Sequence, residues 1–168
     1  MAPLKNLTCS LFLALALPLT IASAQVIAPG PGASAGFSRS VFGIGFFGGP
    51  ATGLGLSFRH HLPSVLSYQI TAGAISIESK LSYDFGVELQ IDVFRSYSSR
   101  FYVGGGTSYF YSGNGSNTMN GPVRLGLGVG IEYAASPGLH VMGDLFFTYF
   151  SDGTVLPLPQ LGFFYYFE

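Results

Sequence analysis

Arg59, Asp84, Glu88, Asp92, Arg124, Glu132 and Asp144 are the residues of this sequence whose types could do chemistry together. Carboxylates and guanidiniums at matched depths form ion pairs, and a series of them can pass protons or guide a small solute. His60, His61 and His140 add groups that titrate near neutral pH. His60 and His61 are adjacent, so on a strand they point to opposite faces and cannot hold one metal ion together. His140 and Asp144 share a face, but four residues of extended chain separate them by about 13 Å, too far for a hydrogen bond. Gly43, Gly45 and Gly48 match a dinucleotide fingerprint, yet no helix pattern follows and the next acid is Glu78. Asn114-Gly115-Ser116 matches a glycosylation sequon and reads more simply as turn chemistry. Spacing thus yields no catalytic set and no metal set, and no cofactor is expected.

What the charged residues share is the kind of segment that carries them. Residues 123–133 set Val123, Leu125, Leu127, Val129, Ile131 and Tyr133 against Arg124, Gly126, Gly128, Gly130 and Glu132. Only a period of two separates the sides so cleanly, which makes this a β-strand. Residues 81–93 are as clear, with Leu81, Tyr83, Phe85, Val87, Leu89, Ile91 and Val93 opposed to Ser82, Asp84, Gly86, Glu88, Gln90 and Asp92. Six further alternating stretches are 41–47, 53–60, 65–75, 101–111, 139–150 and 160–167, each closed by turn residues. Each of those seven charges lies on the small, polar side of its strand.

That one-sidedness decides the orientation. An Arg or Lys facing lipid costs about 2–4 kcal/mol at the bilayer midplane, whereas a water-facing strand has no reason to shed charge. Only 9% of the 168 residues are charged, mean hydropathy is +0.45, and there are 24 Gly, 16 Phe and 10 Tyr. Glycines and aromatics without leucine-rich blocks suit membrane strands better than spanning helices. The uncharged run from Ser40 to Phe58 is so rich in glycine, with Pro50 at its centre, that it cannot be a stable helix. The expected fold is all-β: an eight-stranded antiparallel up-and-down transmembrane β-barrel, its apolar faces to lipid and its charges to the lumen. Such a barrel is just wide enough for side chains to fill. Its buried charges have to be paired, and Arg124 is expected to pair with Asp84 or Glu88.

With a periplasmic N-terminus, the odd-numbered connections lie outside the cell. The longest polar ones, 112–121 and 151–159, fall there, and the compact 61–64, 95–100 and 135–138 fall on the periplasmic side. Apolar-face aromatics collect at strand ends. Phe42, Phe58, Phe101, Tyr133, Tyr165 and Phe167 form one expected girdle; Phe46, Tyr83, Tyr109, Tyr111, Phe147 and Tyr149 form the other.

The N-terminus reads as a secretory signal over 1–24: Lys5, a short apolar stretch at 11–20, and Ala22-Ser23-Ala24 as cleavage site. Cys9 leaves with it, so the mature chain is expected to have no disulfide. Residues 25–38, rich in Pro, Gly, Ala and Ser, read as a flexible periplasmic tail, and 39–168 as the barrel.

From residue 41 onward the pattern resembles the small outer-membrane β-barrel proteins of Gram-negative bacteria, the OmpA/OmpX-like group. The most specific part is the end, Leu161-x-Phe163-x-Tyr165-x-Phe167, followed here by Glu168. The resemblance implies that Tyr165 and Phe167 belong to an assembly signal read by the barrel-assembly machinery. It also implies a cell outer-membrane location among lipid and lipopolysaccharide. A structural or surface-interaction role in adhesion or envelope integrity follows from it, without enzymatic activity. No nucleic acid is expected as partner, and the sequence names no surface ligand. A lipid A-modifying enzyme and a narrow pore for protons or small solutes are the alternatives. Cleavage after Ala24 predicts that protein extracted from membranes begins at Gln25; intact-mass or Edman analysis finding Met1 would refute it.

Overall fold

The structure is a computed structural model and describes residues 40–77 and 80–167. The expected signal peptide and tail lie outside these residues. Eight strands follow one another: β1 (Val41–Gly49), β2 (Gly53–His61), β3 (Leu66–Ile77), β4 (Lys80–Arg95), β5 (Ser99–Gly113), β6 (Val123–Ser136), β7 (Leu139–Phe150) and β8 (Val155–Phe167). Each pairs antiparallel with the next, and β8 closes onto β1 through Phe42↔Phe167 to Gly48↔Leu161. Closure leaves no sheet edge, which a bilayer requires because it offers backbone groups no water. Ser40 and Phe167 lie at one end, the terminal end; the turn between β1 and β2 belongs to the other, the loop end.

The alternation seen in the sequence becomes the two sides of the wall. Leu127 is 65% exposed and Phe46 69%, with Val129, Leu89, Ile91, Leu161 and Phe163 equally outward. Arg59, Glu88, Gln90, Arg100 and Glu132 are fully inside. The fold is therefore a transmembrane barrel turned apolar side out, with lipid as the solvent of its outer face.

The short β1 and β2 shape the interior. Each has 9 residues, whereas β3 to β8 have 12 to 16. Their turn, 50–52, is reached while the neighbouring strands still continue, and it folds into the lumen: Ala51 and Thr52 are 0% exposed. Ser108 Oγ donates to Ala51 O at 2.8 Å, and Ala51 N–H donates to Gln160 Oε1 at 3.1 Å. The turn also presses on β4, where a Cβ at Gly86 would come within 2.0 Å of Thr52 O. Lower down, the ring of Phe146 fills the lumen against β5 and β6; a Cβ at Gly104 would meet it at 2.8 Å and one at Gly128 at 2.6 Å. The bare side of the 123–133 alternation is thus the room that a large ring takes up in a narrow barrel.

Two expectations are corrected. The β7–β8 connection is 151–154, not 151–159, because β8 begins at Val155 and carries Pro157 and Pro159. Those prolines face only β7: β1 does not pair with β8 before Leu161, so their missing N–H groups break no ladder on the open side. Of the long connections only 114–122 remains. Arg100, expected in the 95–100 turn, belongs to β5 and points inward.

Leu127→Arg should cost about 2–4 kcal/mol of folding stability in liposomes, measured by denaturant titration, because the guanidinium would face lipid near mid-wall. A neutral result would invert the assignment of the two faces.

Candidate functional site

The lumen at the terminal end is organised by Glu132. Its Oε2 accepts from Arg59 Nη1 at 2.7 Å on β2, and from Arg100 Nη2 at 2.7 Å and Nε at 2.9 Å on β5. Its Oε1 lies 2.7 Å from His140 Nδ1 on β7 and 3.5 Å from His61 Nε2 on β2. One carboxylate thus joins four strands across the barrel. Arg100 reaches on to Asp92 Oδ1 at 2.6 Å and Gln90 Oε1 at 2.5 Å, and Arg59 is held by Gln69. Arg95 pairs with Asp92 from the rim. Two of the guanidiniums also lie on rings, Arg59 over Phe164 at 4.4 Å and Arg100 over Tyr102 at 4.5 Å.

Above this layer Glu88 accepts from Thr52 Oγ1 at 2.8 Å and from Gln90 Nε2 at 2.7 Å. Thr52 therefore connects the tucked turn to the centre of the lumen. Tyr102 donates to Asp144, which faces Gln160 in the β7–β8 register. At the loop end, Asp84 Oδ1 accepts from the backbone N–H of Leu54 at 2.6 Å.

The structure brings Arg59, Asp92 and Glu132 into one ion-pair network and leaves Asp84, Glu88, Arg124 and Asp144 outside it. Arg124 does not make the expected direct salt bridge with Asp84 or Glu88, although the charges of Arg124 and Asp84 are within electrostatic reach of each other. Arg124 Nη1 donates to Pro50 O at 2.8 Å, and its guanidinium lies between Phe110 at 3.8 Å and Phe150 at 4.9 Å. The inward fold of the 50–52 turn is the cause: it places a carbonyl where a carboxylate was expected and takes Glu88 for Thr52.

Sequence reasoning missed Arg100, Gln69, Gln90, Gln160 and Tyr166 as members of the network, and weighed His61 only for a metal site shared with His60. For Arg100 a signal existed, since it extends by one step the side of β5 that carries Tyr102, Gly104 and Ser108. For His61 only the partners were hidden, because they come from other strands. Its Nδ1 lies 2.7 Å from Ser67 Oγ and its Nε2 2.7 Å from the Tyr166 hydroxyl. Ser67, His61 and Glu132 thus stand in the order of nucleophile, base and orienting acid. Ser67 is buried, however, and shares Arg100 Nη1 at 3.4 Å, so the arrangement is built into the packing of the plug. His60, on the outer face, stacks on Phe42 at 4.1 Å and bonds Ser40 Oγ at 2.8 Å. Tyr165 and Phe167 are exposed at the end of β8. No group of three His, Cys, Asp or Glu side chains among the described residues is arranged to hold a metal ion.

No protein-family model matches the chain, and no curated protein matches it. Solved structures with a similar course include Ail, the attachment invasion locus protein of Yersinia pestis, at 14% identity and TM-score 0.46, over 76% of this chain and 97% of that one. The backbone structure of the same Yersinia pestis protein in a phospholipid nanodisc gives 12% identity and TM-score 0.44, over 77% and 99%. A major outer membrane protein from Thermus thermophilus gives 13% identity and TM-score 0.38, over 77% and 100%.

Glu132→Ala should cost about 3–5 kcal/mol, since it leaves two buried guanidiniums without their shared carboxylate. Replacing Arg59 by Met in that background should recover part of the loss. Arg124→Ala and Glu132→Ala, at opposite ends of β6 with no shared partner, should by contrast add without coupling in a double-mutant cycle. Strong coupling of the second pair would show that the layers are wired the other way.

Proposed function

We propose that this chain is an outer-membrane barrel of a Gram-negative envelope with a structural or surface-interaction role and no enzymatic activity. The observation that carries the reading is the plugged lumen. Arg59, Arg100 and Glu132 bridge it near the terminal end, Phe146 fills its middle, and the 50–52 turn closes it from above. A barrel without a free passage offers the cell its lipid-facing belt and its loop end, and a function is to be sought there.

The placement of the histidines supports the non-enzymatic reading. His61 and His140 contact Glu132 near the terminal end, and His60 lies beside Ser40 at the same end. With that end in the periplasm, all three bases stand across the membrane from lipid A in the outer leaflet. The expected partners are outer-membrane lipid and lipopolysaccharide around the belt, and the barrel-assembly machinery at Tyr165 and Phe167 during insertion. The surface-interaction role is assigned to the 114–122 connection, which keeps its shape through Asn117: its side chain accepts from Ser112 N–H at 3.1 Å and donates to Phe110 O at 2.9 Å.

Purified protein in planar bilayers should give no steady conductance, and should leave lipid A unchanged in mass. Cells in which 114–122 is replaced by a Gly-Ser linker should lose the surface adherence or detergent resistance that the intact chain confers. A stable open channel, or a change in lipid A acylation that depends on this protein, would overturn the reading.

A further inference from the structure

Because β1 and β2 stop early, the barrel wall is lower there at the loop end than on either side. β3 runs on from Gly73 to Ile77 with β4 on one side and no β2 on the other, beyond its last β2 pair at Leu56↔Ala72, and the first part of β8 runs on beyond the end of β1. The tip of the short hairpin leans inward: Leu54 N–H is tied to Asp84 of β4, and β2 reaches both β4 and β5 across the lumen. Above this tip lies a cavity of about 530 Å³. Its lining is of mixed origin. Phe46, Leu56 and Ala74 belong to the lipid-facing surface, whereas Ser82, Asp84 and Phe110 belong to the lumen side. The space therefore passes from the bilayer, over the notch in the wall, into the loop-end vestibule. A second cavity of about 450 Å³ adjoins it, sharing Ile75, Ser82 and Ser112 and adding Ile77 and Lys80.

We propose that this notch takes the hydrocarbon chain of a fatty acid from the surrounding leaflet and holds its carboxylate at the loop-end rim beside Lys80. The inference rests on the reading that the outer face lies in lipid. Three observations carry it beyond that reading. The first is continuity: the mouth is made of residues already in contact with lipid, so a chain can slide in without crossing water. The second is size and character, since 530 Å³ of mainly apolar space falls within the range of about 300–1,000 Å³ that encloses small ligands. The third is charge order along one strand face. Lys80, Ser82 and Asp84 alternate on the inner side of β4, and about 3.3 Å per residue puts Lys80 about 13 Å above Asp84. Lys80 is exposed and makes no ion pair with any described residue, so it is available to an anion. Asp84 stands at the inner wall within reach of the Arg124 charge, and as an acceptor-only carboxylate it offers no donor to an anion that would go in head first. The two charges together orient the molecule tail inward and acid outward, with the hydroxyls of Ser82 and Ser112, 2.8 Å apart, beside the rim.

The test uses the full mature chain in phosphatidylcholine nanodiscs containing a palmitate with a diazirine near its methyl end. After irradiation, adducts are mapped by mass spectrometry. Adducts around Leu127 report lipid contact of the outer face; they test the membrane reading separately and are expected in every variant. The cavity should add adducts at Leu54, Phe110 or Met119 well above that level. Ala74→Trp, at the mouth, should remove them, and Ile75→Trp should do the same from the lumen side should the first variant fail to insert. Lys80→Glu should lower cavity adducts of palmitate severalfold and leave those of the corresponding long-chain alcohol unchanged. Adducts confined to the belt, or cavity adducts indifferent to both tryptophans, would overturn the site. Equal loss of acid and alcohol in Lys80→Glu would overturn the assignment of the acid head.

Discussion

A barrel in lipid has its polar core on the inside, and the charges there must be neutralised without water. In this chain that requirement converges on the carboxylate of Glu132, which meets Arg59, Arg100, His61 and His140 from three other strands. Without it the Arg59 guanidinium would stand buried with no carboxylate and Arg100 would keep only Asp92, at a cost of about 3–5 kcal/mol. The outer face contributes differently. It is apolar apart from a few positions such as His60 near the terminal end, and one apolar residue there can replace another, so it fixes where the barrel sits rather than how its strands are arranged. The inner network ties particular strands to one another, and that is where specificity of arrangement resides.

The same narrowness explains the glycines. Phe146, Tyr102, Phe164 and Tyr166 are all buried inside an eight-stranded wall, and a ring at each of these places takes up the space of a side chain opposite. Gly104 and Gly128 yield to Phe146, and Gly86 yields to the inward 50–52 turn. Apolar rings in the lumen then serve the charges: they shield Arg59 and Arg100 from water and offer them ring faces. The plug is thus one mixed structure, in which ion pairs, rings and a backbone turn each fill what the others leave.

The short β1–β2 hairpin has two consequences that bear on function. Folded inward, it supplies Thr52 to Glu88 and the Pro50 carbonyl to Arg124, sealing the upper lumen. By the same movement it leaves the wall low beside β3, where the lipid-facing surface continues into a loop-end cavity. Closure of the through-path and an opening toward the membrane are two results of one difference in strand length.

How much of this was legible beforehand depended on how local the physics was. A period of two needs only neighbours along the chain, so the strands, the inward side of Arg59, Asp84, Glu88, Asp92, Arg124, Glu132 and Asp144, and the apolar side of Leu127 could all be read from residue order. The glycines could be counted but not explained, because Phe146 and Gly128 meet only once β6 and β7 pair. Pro157 and Pro159 looked like a loop, since a proline ends a strand unless one side is free of partners, and that freedom depends on where β1 stops. The partner of Arg124 was misjudged for the same reason: depth along a strand can be counted, but the path of the 50–52 turn into the lumen cannot. The sequence by itself determined which side of each strand belongs to lipid. Which charges meet across the lumen was decided only by the tertiary structure, because strand register, tilt and one inward turn set those distances.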